Sequence, residues 1–256
     1  MNFNYTQKYI FSLFLLLLLQ PASSFTQSVS NKIDSLHITL TQTNDETTRI
    51  DIYNELAFSY RRTVLDSVNY YAALALSAAK RLNYPKGLLW AYKNQGIYRY
   101  KTDFPADSTL YVIKLALKYA RETNDYYNEA ALSNNIGLVK ASEDKVRESA
   151  KYYLQGLEIL NNNEHPPSFM EGLMCGNLSV CYRRLGESEQ ALLYAQKGIG
   201  VARQLNNSSL VSILASAYAA ALIKLDRIEV GIAYLHQSIK LHEELGDFQS
   251  LGNSWF

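Results

Sequence analysis

Cysteine, proline and glycine are scarce in these 256 residues, at two, five and twelve. So few turn-formers argue against an all-β or loop-rich chain, and the abundance of Ala, Leu, Tyr, Lys and Glu favours helix. The two cysteines, Cys175 and Cys181, stand six apart. On one helix that is about 9 Å along the axis, beyond the ~7 Å a disulfide tolerates. We read them as small buried core residues, with no His or acidic partner at metal-ligand spacing. An excess of either charge is also missing: 25 Lys and Arg face 24 Asp and Glu. A basic surplus is what gives a chain affinity for phosphates, so no nucleic acid is expected as a partner of this region.

Long apolar runs are absent except at the start. There Lys8 precedes Tyr9 to Leu19, a run of eleven mostly apolar residues, and Ala22-Ser23-Ser24 follows. A membrane span needs roughly 20 such residues. The pattern is that of a secretory signal peptide over 1–24, cut near Ser24, with an uncleaved anchor as the alternative. No Cys follows it to carry a lipid. The rest is expected to be exported to the periplasm, with no membrane span after the signal peptide.

Beyond residue 24 the sequence repeats itself. "RLNYPKG" at 81, "ETNDYYN" at 122, "QLNNSSL" at 204 and "ELGDFQS" at 244 are polar stretches in one register, and the missing member falls near "LNNNEHP" at 160. The period is about 40 residues, and each stretch carries Asn, Asp or Gly suited to ending a helix. Two helical patterns lie between successive breaks. The first has Tyr53, Leu56, Ala57 and Tyr60 in copy one and Cys175, Leu178, Ser179 and Tyr182 in copy four. Gly96 and Gly137 take the place of Ala57 in copies two and three, which predicts a close helix approach there. The second pattern is a column of mostly small residues spaced i, i+4, i+7, i+11. It reads Val68, Ala72, Ala75, Ala79 in copy one and Ala191, Ala195, Gly198, Ala202 in copy four.

This arrangement resembles the tetratricopeptide repeat, a helix-turn-helix unit. "NLSVCYRRLGESEQALLYAQKGI", 177 to 199, is its best match, with Leu178, Ser179, Tyr182, Gly186, Ala191, Ala195 and Gly198 at the repeat's spacing. Other copies depart from it; Arg99 and Lys140, for instance, stand where the Tyr is expected. The resemblance implies an all-α, right-handed superhelical solenoid of about five antiparallel helix pairs over 48–248. A lead-in helix at 25–47 precedes it, and 249–256, "LGNSWF" and its flank, begins an incomplete sixth repeat. The period, longer than the usual 34, resembles that of exported repeat domains in bacterial histidine kinases and transcriptional regulators. Their fold serves protein and peptide binding, so the resemblance implies a sensory interaction module. A free-standing periplasmic scaffold in envelope assembly or polysaccharide handling is the other reading, or the truncated front of a histidine kinase.

Signs of catalysis are lacking. "GIGVA" at 198 would need a Gly at Arg203 and a preceding strand to bind a dinucleotide. His37, His165, His236 and His242 form no motif, no cofactor is implied, and we expect no enzyme. Asp34-Ser35, Asp66-Ser67 and Asp107-Ser108 fit a short glycosylation pattern, but we read them as helix-start caps.

In the repeat family the first helices line a concave groove. Carried onto this chain, its positions include Asn54, Arg61 and Arg62 in copy one, and Trp90, Lys93, Tyr100 and Lys101 in copy two. Asn134 comes from copy three, Arg183 and Arg184 from copy four, and Lys224 from copy five. Seven of the 25 carried-over positions are Lys or Arg and one, Asp51, is acidic. Such a groove suits a protein or peptide ligand carrying carboxylates. The competing explanation is that cations near a helix C-terminus complement its dipole.

Overall fold

A helix must be stopped before it can pair with the next, and here one backbone conformation stops nearly all of them. The computed structural model describes residues 23–245; the apolar leader and the "LGNSWF" end lie outside the described residues. From residue 65 onward each turn between helices holds one residue at positive φ: Asn83, Asp103, Asn124, Asp144, Glu164, Gly186, Asn206 and Asp226. At each, the chain closes with a bond back to the last helical turn. Tyr84 N–H donates to the Ala79 carbonyl at 2.9 Å, Asp125 to Ala120 at 2.9 Å and Asn207 to Ala202 at 3.0 Å. This is the left-handed helix stop, which Gly, Asn and Asp adopt at least cost.

Asn83, Asn124 and Asn206 are the third residues of three of the four polar stretches in common register, and the third residue of the stretch at 244 lies outside the described residues. In the out-of-register member at 160 the role falls instead on Glu164 (φ 49°), which has no side-chain advantage in that conformation. Pro166 and Pro167 then lengthen this turn, and Ser168 caps the next helix by accepting the Glu171 N–H at 3.2 Å.

Between stops run α1 (Ser23–Gln42), α2 (Glu46–Tyr60), α3 (Leu65–Arg81), α4 (Pro85–Lys101), α5 (Ala106–Glu122) and α6 (Tyr126–Ser142). They are followed by α7 (Val146–Asn162), α8 (Phe169–Arg184), α9 (Ser188–Gln204), α10 (Ser208–Lys224) and α11 (Ile228–Leu245). Helices α3 to α7, α9 and α10 are each 17 residues long. Two such helices and two short turns make the long repeat; the excess over the usual length goes into the helices.

The two helices of a repeat begin differently. First helices are capped by side chains: Asp45, Asp125, Ser168 and Asn207 each accept a backbone N–H, and α4 opens with Pro85. Second helices start at Val64, Pro105, Lys145 and Glu187 with no side-chain cap. Asp66, Asp107, Glu148 and Glu189 sit in their first turns instead, against the positive end of the dipole. The Asp-Ser pairs expected as caps are therefore not caps.

Helices pack in chain order, α2 on α3, α3 on α4 and onward, with α1 laid on α2. First helices also touch one another, α2 with α4, α6 with α8 and α8 with α10. No comparable contact joins successive second helices among the described residues. The first helices therefore form the inner layer of the stack and the second helices the outer. The small column lies in the seam. Val68, Ala72, Ala75 and Ala79 are fully buried, as are Ala191, Ala195 and Ala202. In copy five Gly231 is buried and Leu235 half-buried. The close approach expected at the two small sites is real: a Cβ at Gly96 would meet Ile113 at 2.8 Å, and one at Gly137 the Tyr153 ring at 2.5 Å.

That geometry separates two mid-helix glycines. Gly200 on α9 is exposed with nothing within 4 Å of an added Cβ. Gly200→Ala is expected to stabilise by ~0.5–1 kcal/mol through helix propensity. Gly137→Ala makes the same propensity gain but drives a methyl into the buried Tyr153 ring, for a net loss of ~1–2 kcal/mol. Thermal melts should show the two midpoints moving in opposite directions.

Candidate ligand groove

The exposed stripe of the inner layer is the surface on which the carried-over positions fall, but the structure uses them unequally. Asn54 and Asn134 are buried. Asn54 Nδ2 donates to the Gly87 carbonyl at 3.1 Å, and the Asn54 carbonyl accepts from Asn94 Nδ2 at 2.9 Å. Asn134 Oδ1 accepts from Asn177 Nδ2 at 2.9 Å. Each bond joins the first helix of one repeat to the first helix of the next. These amides stitch the inner layer together.

Lys93 on α4 is the one cation in the core of this layer among the described residues, only 8% exposed. Its Nζ lies 4.3 Å from the Trp90 ring centroid and donates to Asn128 Oδ1 on α6. Asn128 in turn donates to Asp125 Oδ2 at 2.7 Å. Burial pulls the Lys93 ammonium down to about 8, opposed by the Asp125 charge and assisted by Arg61.

The cations at the ends of first helices divide. Lys101 Nζ donates to the Arg61 carbonyl at 2.8 Å, and Arg184 pairs with Asp144. Both reach back to the preceding repeat and cover its helix end or its turn, the behaviour expected of cations near helix C-termini. Arg61 folds over the Phe58 ring at 3.6 Å and donates to the Phe58 carbonyl at 2.6 Å. Arg62 and Lys224 are exposed, Arg183 and Trp90 half-buried, and Tyr100 is 42% exposed. Trp90 meets Phe58 edge-on at 6.0 Å, closing an aromatic wall between the first two repeats.

Two departures from the repeat pattern have structural uses. Arg99, in place of a Tyr, donates to the Ser108 carbonyl at 3.1 Å, and Lys140 pairs with Glu143 and Glu148. Each ties the end of a first helix to the second helix of the same repeat. Elsewhere Tyr182 stacks on Tyr194 at 5.4 Å and Tyr60 on Tyr71 at 5.8 Å. These four tyrosines are packing groups.

Cys175 and Cys181 are buried free thiols. Burial pushes Cys175 up to about 12, so it stays protonated and unreactive. Among the described residues no three His, Cys, Asp or Glu converge as metal ligands. An open cavity of about 500 Å³ lies where Arg184 meets the turn at Asp144 and Lys145, with Arg147 and Glu148 on its wall. Arg184 and Asp144 pair across it, while Lys145 and Glu148 pair with Glu143 and Lys140 beside it. No helix among the described residues is long and apolar enough to cross a membrane.

Stacked antiparallel pairs, an inner layer of first helices and a small-residue seam decide the architecture. This is the tetratricopeptide-repeat fold. The Rap protein complexed with competence and sporulation factor shares it with a TM-score of 0.68 at 15% identity, over 90% of this chain and 69% of its own. PlcR of Bacillus thuringiensis, in complex with the peptide PapR7 and DNA, gives 0.64 at 14%, over 93% and 85%. A signal-transduction ATPase with a tetratricopeptide-repeat sensor, from Pyrococcus horikoshii, gives 0.67 at 17% over 84% of this chain, which spans 33% of that protein. No protein-family model and no curated protein matches the sequence. Tetratricopeptide repeats keep size and spacing at a few seam positions and leave the rest free to vary, so the fold outlasts the identity.

The stitching residues Asn94, Asn128 and Asn177 were not singled out from the sequence. Their signal was there: Asn is a poor helix former, so one in the interior of an inner helix needs a partner. Lys93 supplies the pH test. Its folded pKa lies below the unfolded 10.5, so its contribution to stability is complete above that value and is lost as pH falls through about 8. Denaturation of wild type and Lys93→Met across pH 7 to 10.5 should show wild type gaining on the variant, by up to ~3 kcal/mol. A constant difference would mean that the Lys93 pKa is the same in the folded and unfolded chain.

Proposed function

We propose that this chain is a non-catalytic peptide- or protein-interaction module, the exported, periplasmic sensory part of a bacterial signalling protein. The observation that carries it is the inner stripe itself. Five stacked helices present side chains in a continuous row while their own backbone groups are spent within the helices. Such a row suits an extended chain docking along it. The shared fold adds support, since the Rap structure holds competence and sporulation factor and the PlcR structure holds the peptide PapR7. Export rests on the leader sequence, and the signalling role on the resemblance to exported sensor domains.

Selection of random displayed peptides on the full chain is the direct test. Tyr100→Ala and Ile213→Ser, on the inner layer, should each weaken enriched peptides about tenfold. Tyr70→Ala and Tyr111→Ala, on outer-layer residues 60% and 64% exposed, should leave affinity unchanged. The reverse pattern would place recognition on the outer face and remove this reading. Export is checked separately: a fusion of the leader to alkaline phosphatase should be active in the periplasm, and an inactive fusion would return the protein to the cytoplasm.

A further inference from the structure

Neighbouring first helices do not meet equally. Backbone contact is firm between α2 and α4 and between α8 and α10, thin between α6 and α8, and thinnest between α4 and α6. At that last junction a side chain takes over from the backbone. Lys93 reaches from α4 to the Asn128 amide on α6. Asn128 is held in turn by Asp125, which also caps α6 by accepting the Asn128 N–H at 3.0 Å. Among the described residues the Lys93 link is the one hydrogen bond that joins α4 to α6. Behind the gap an apolar cluster, with Leu89, Ile113 and Leu132 in it, runs through α4, α5 and α6. The two inner helices share a firm back and a soft front, which is the layout of a hinge.

That soft front carries a charge which burial opposes. Lys93 and its partner Asn128 are both buried, and the partner is a neutral amide. No carboxylate forms an ion pair with Lys93 among the described residues. The charged groups that act on it are Asp125, one amide away at the start of α6, and Arg61 on α2, which repels it. Trp90 lies over the ammonium and is itself half-buried. A buried charge without a counter-ion is costly, and water can relieve it here only if the front of the junction parts.

We propose that the α4–α6 junction is a proton-controlled gate: with Lys93 charged the front parts to hydrate it, and with Lys93 neutral the front stays shut. The direction follows from linkage. Closed, Lys93 keeps its proton up to about 8; open and in water it returns toward 10.5. A proton therefore binds the open form more tightly. Opening is at its plateau below about 8 and declines as the pH climbs from there toward 10.5. Between pH 7 and 9.5 the open population falls by roughly twentyfold. Parting the front widens the groove floor between the second and third repeats and leaves the apolar seam in place. The gate works whether or not the stripe above it holds a peptide.

Spin labels at Tyr100→Cys and Ser142→Cys, near the ends of α4 and α6, report on the front of the junction. Cys175 and Cys181 are buried and stay unlabelled. Distances are read by pulsed electron paramagnetic resonance on the full chain. Acrylamide quenching of Trp90 is the second readout, in a Trp255→Phe background that removes the other of the two tryptophans. From pH 7 to 9.5 the longer-distance population should fall roughly twentyfold, with Trp90 quenching falling alongside. Lys93→Met should hold the short distance and the low quenching at both pH values. Asn128→Ala cuts the tie and keeps the charge, so it should enlarge the open population at pH 7 and still close as the pH rises. Circular-dichroism melts establish that each variant is folded. Distances and quenching that ignore pH in the parent chain overturn the gate, as does a pH response that survives in Lys93→Met. An Asn128→Ala chain no more open than its parent overturns the tie.

Discussion

One conformational constraint organises this molecule: a residue in the left-handed region about every twenty positions. Each such residue ends a helix and reverses the chain, and the regularity of the stops makes the helices nearly equal in length. Equal helices stack in register. Register puts the small column of every second helix into the seam and keeps one face of every first helix open. Asn and Asp carry the conformation in six of the eight turns, Gly186 in one, and Glu164 in the last. The stack tolerates Glu164 because its neighbours over-determine the turn: His165 N–H still closes onto the Leu160 carbonyl at 3.0 Å.

Within that frame the two layers are held by different means. The seam between first and second helices is apolar and tight, with Ala, Gly and Ser columns admitting side chains such as Ile113, Tyr153 and Leu214. The inner layer is joined by polar links across repeats, through Asn54, Asn94, Lys93 with Asn128, and Asn134 with Asn177. A buried amide contributes little net energy but is costly to leave unmade, so it fixes register more than it stabilises. The order of the inner helices is thereby set residue by residue.

Much of this could be read in advance because the relevant signals are local. Asn83, Asn124 and Asn206 recur in one register, and Gly96 and Gly137 mark close approaches by their size alone. What escaped notice involves partners about forty residues away. Lys101 and Arg184 look like groove cations in the sequence; only the stacked structure shows one covering the Arg61 carbonyl and the other paired with Asp144. Asn94 and Asn177 looked like ordinary polar positions for the same reason. Glu164 is not legible as a helix stop, because a glutamate carries no sign of a left-handed turn. Of the groove positions, Tyr100, Arg183 and Lys224 keep open surface, while Asn54, Lys93 and Asn134 are sunk into the layer that supports it.

Among the described residues the helix pairs in substantial contact belong to one repeat or to adjoining repeats, and this has a mechanical consequence. A stack of that kind behaves as a spring whose coils are coupled in series: a small rotation at each junction adds along the axis, and none is absorbed by a contact that skips a repeat. Tension or clamping applied across the ends is shared among all the junctions between them. The far end of the stack then moves by the sum, so displacement at the last helix reports on the state of the whole coil.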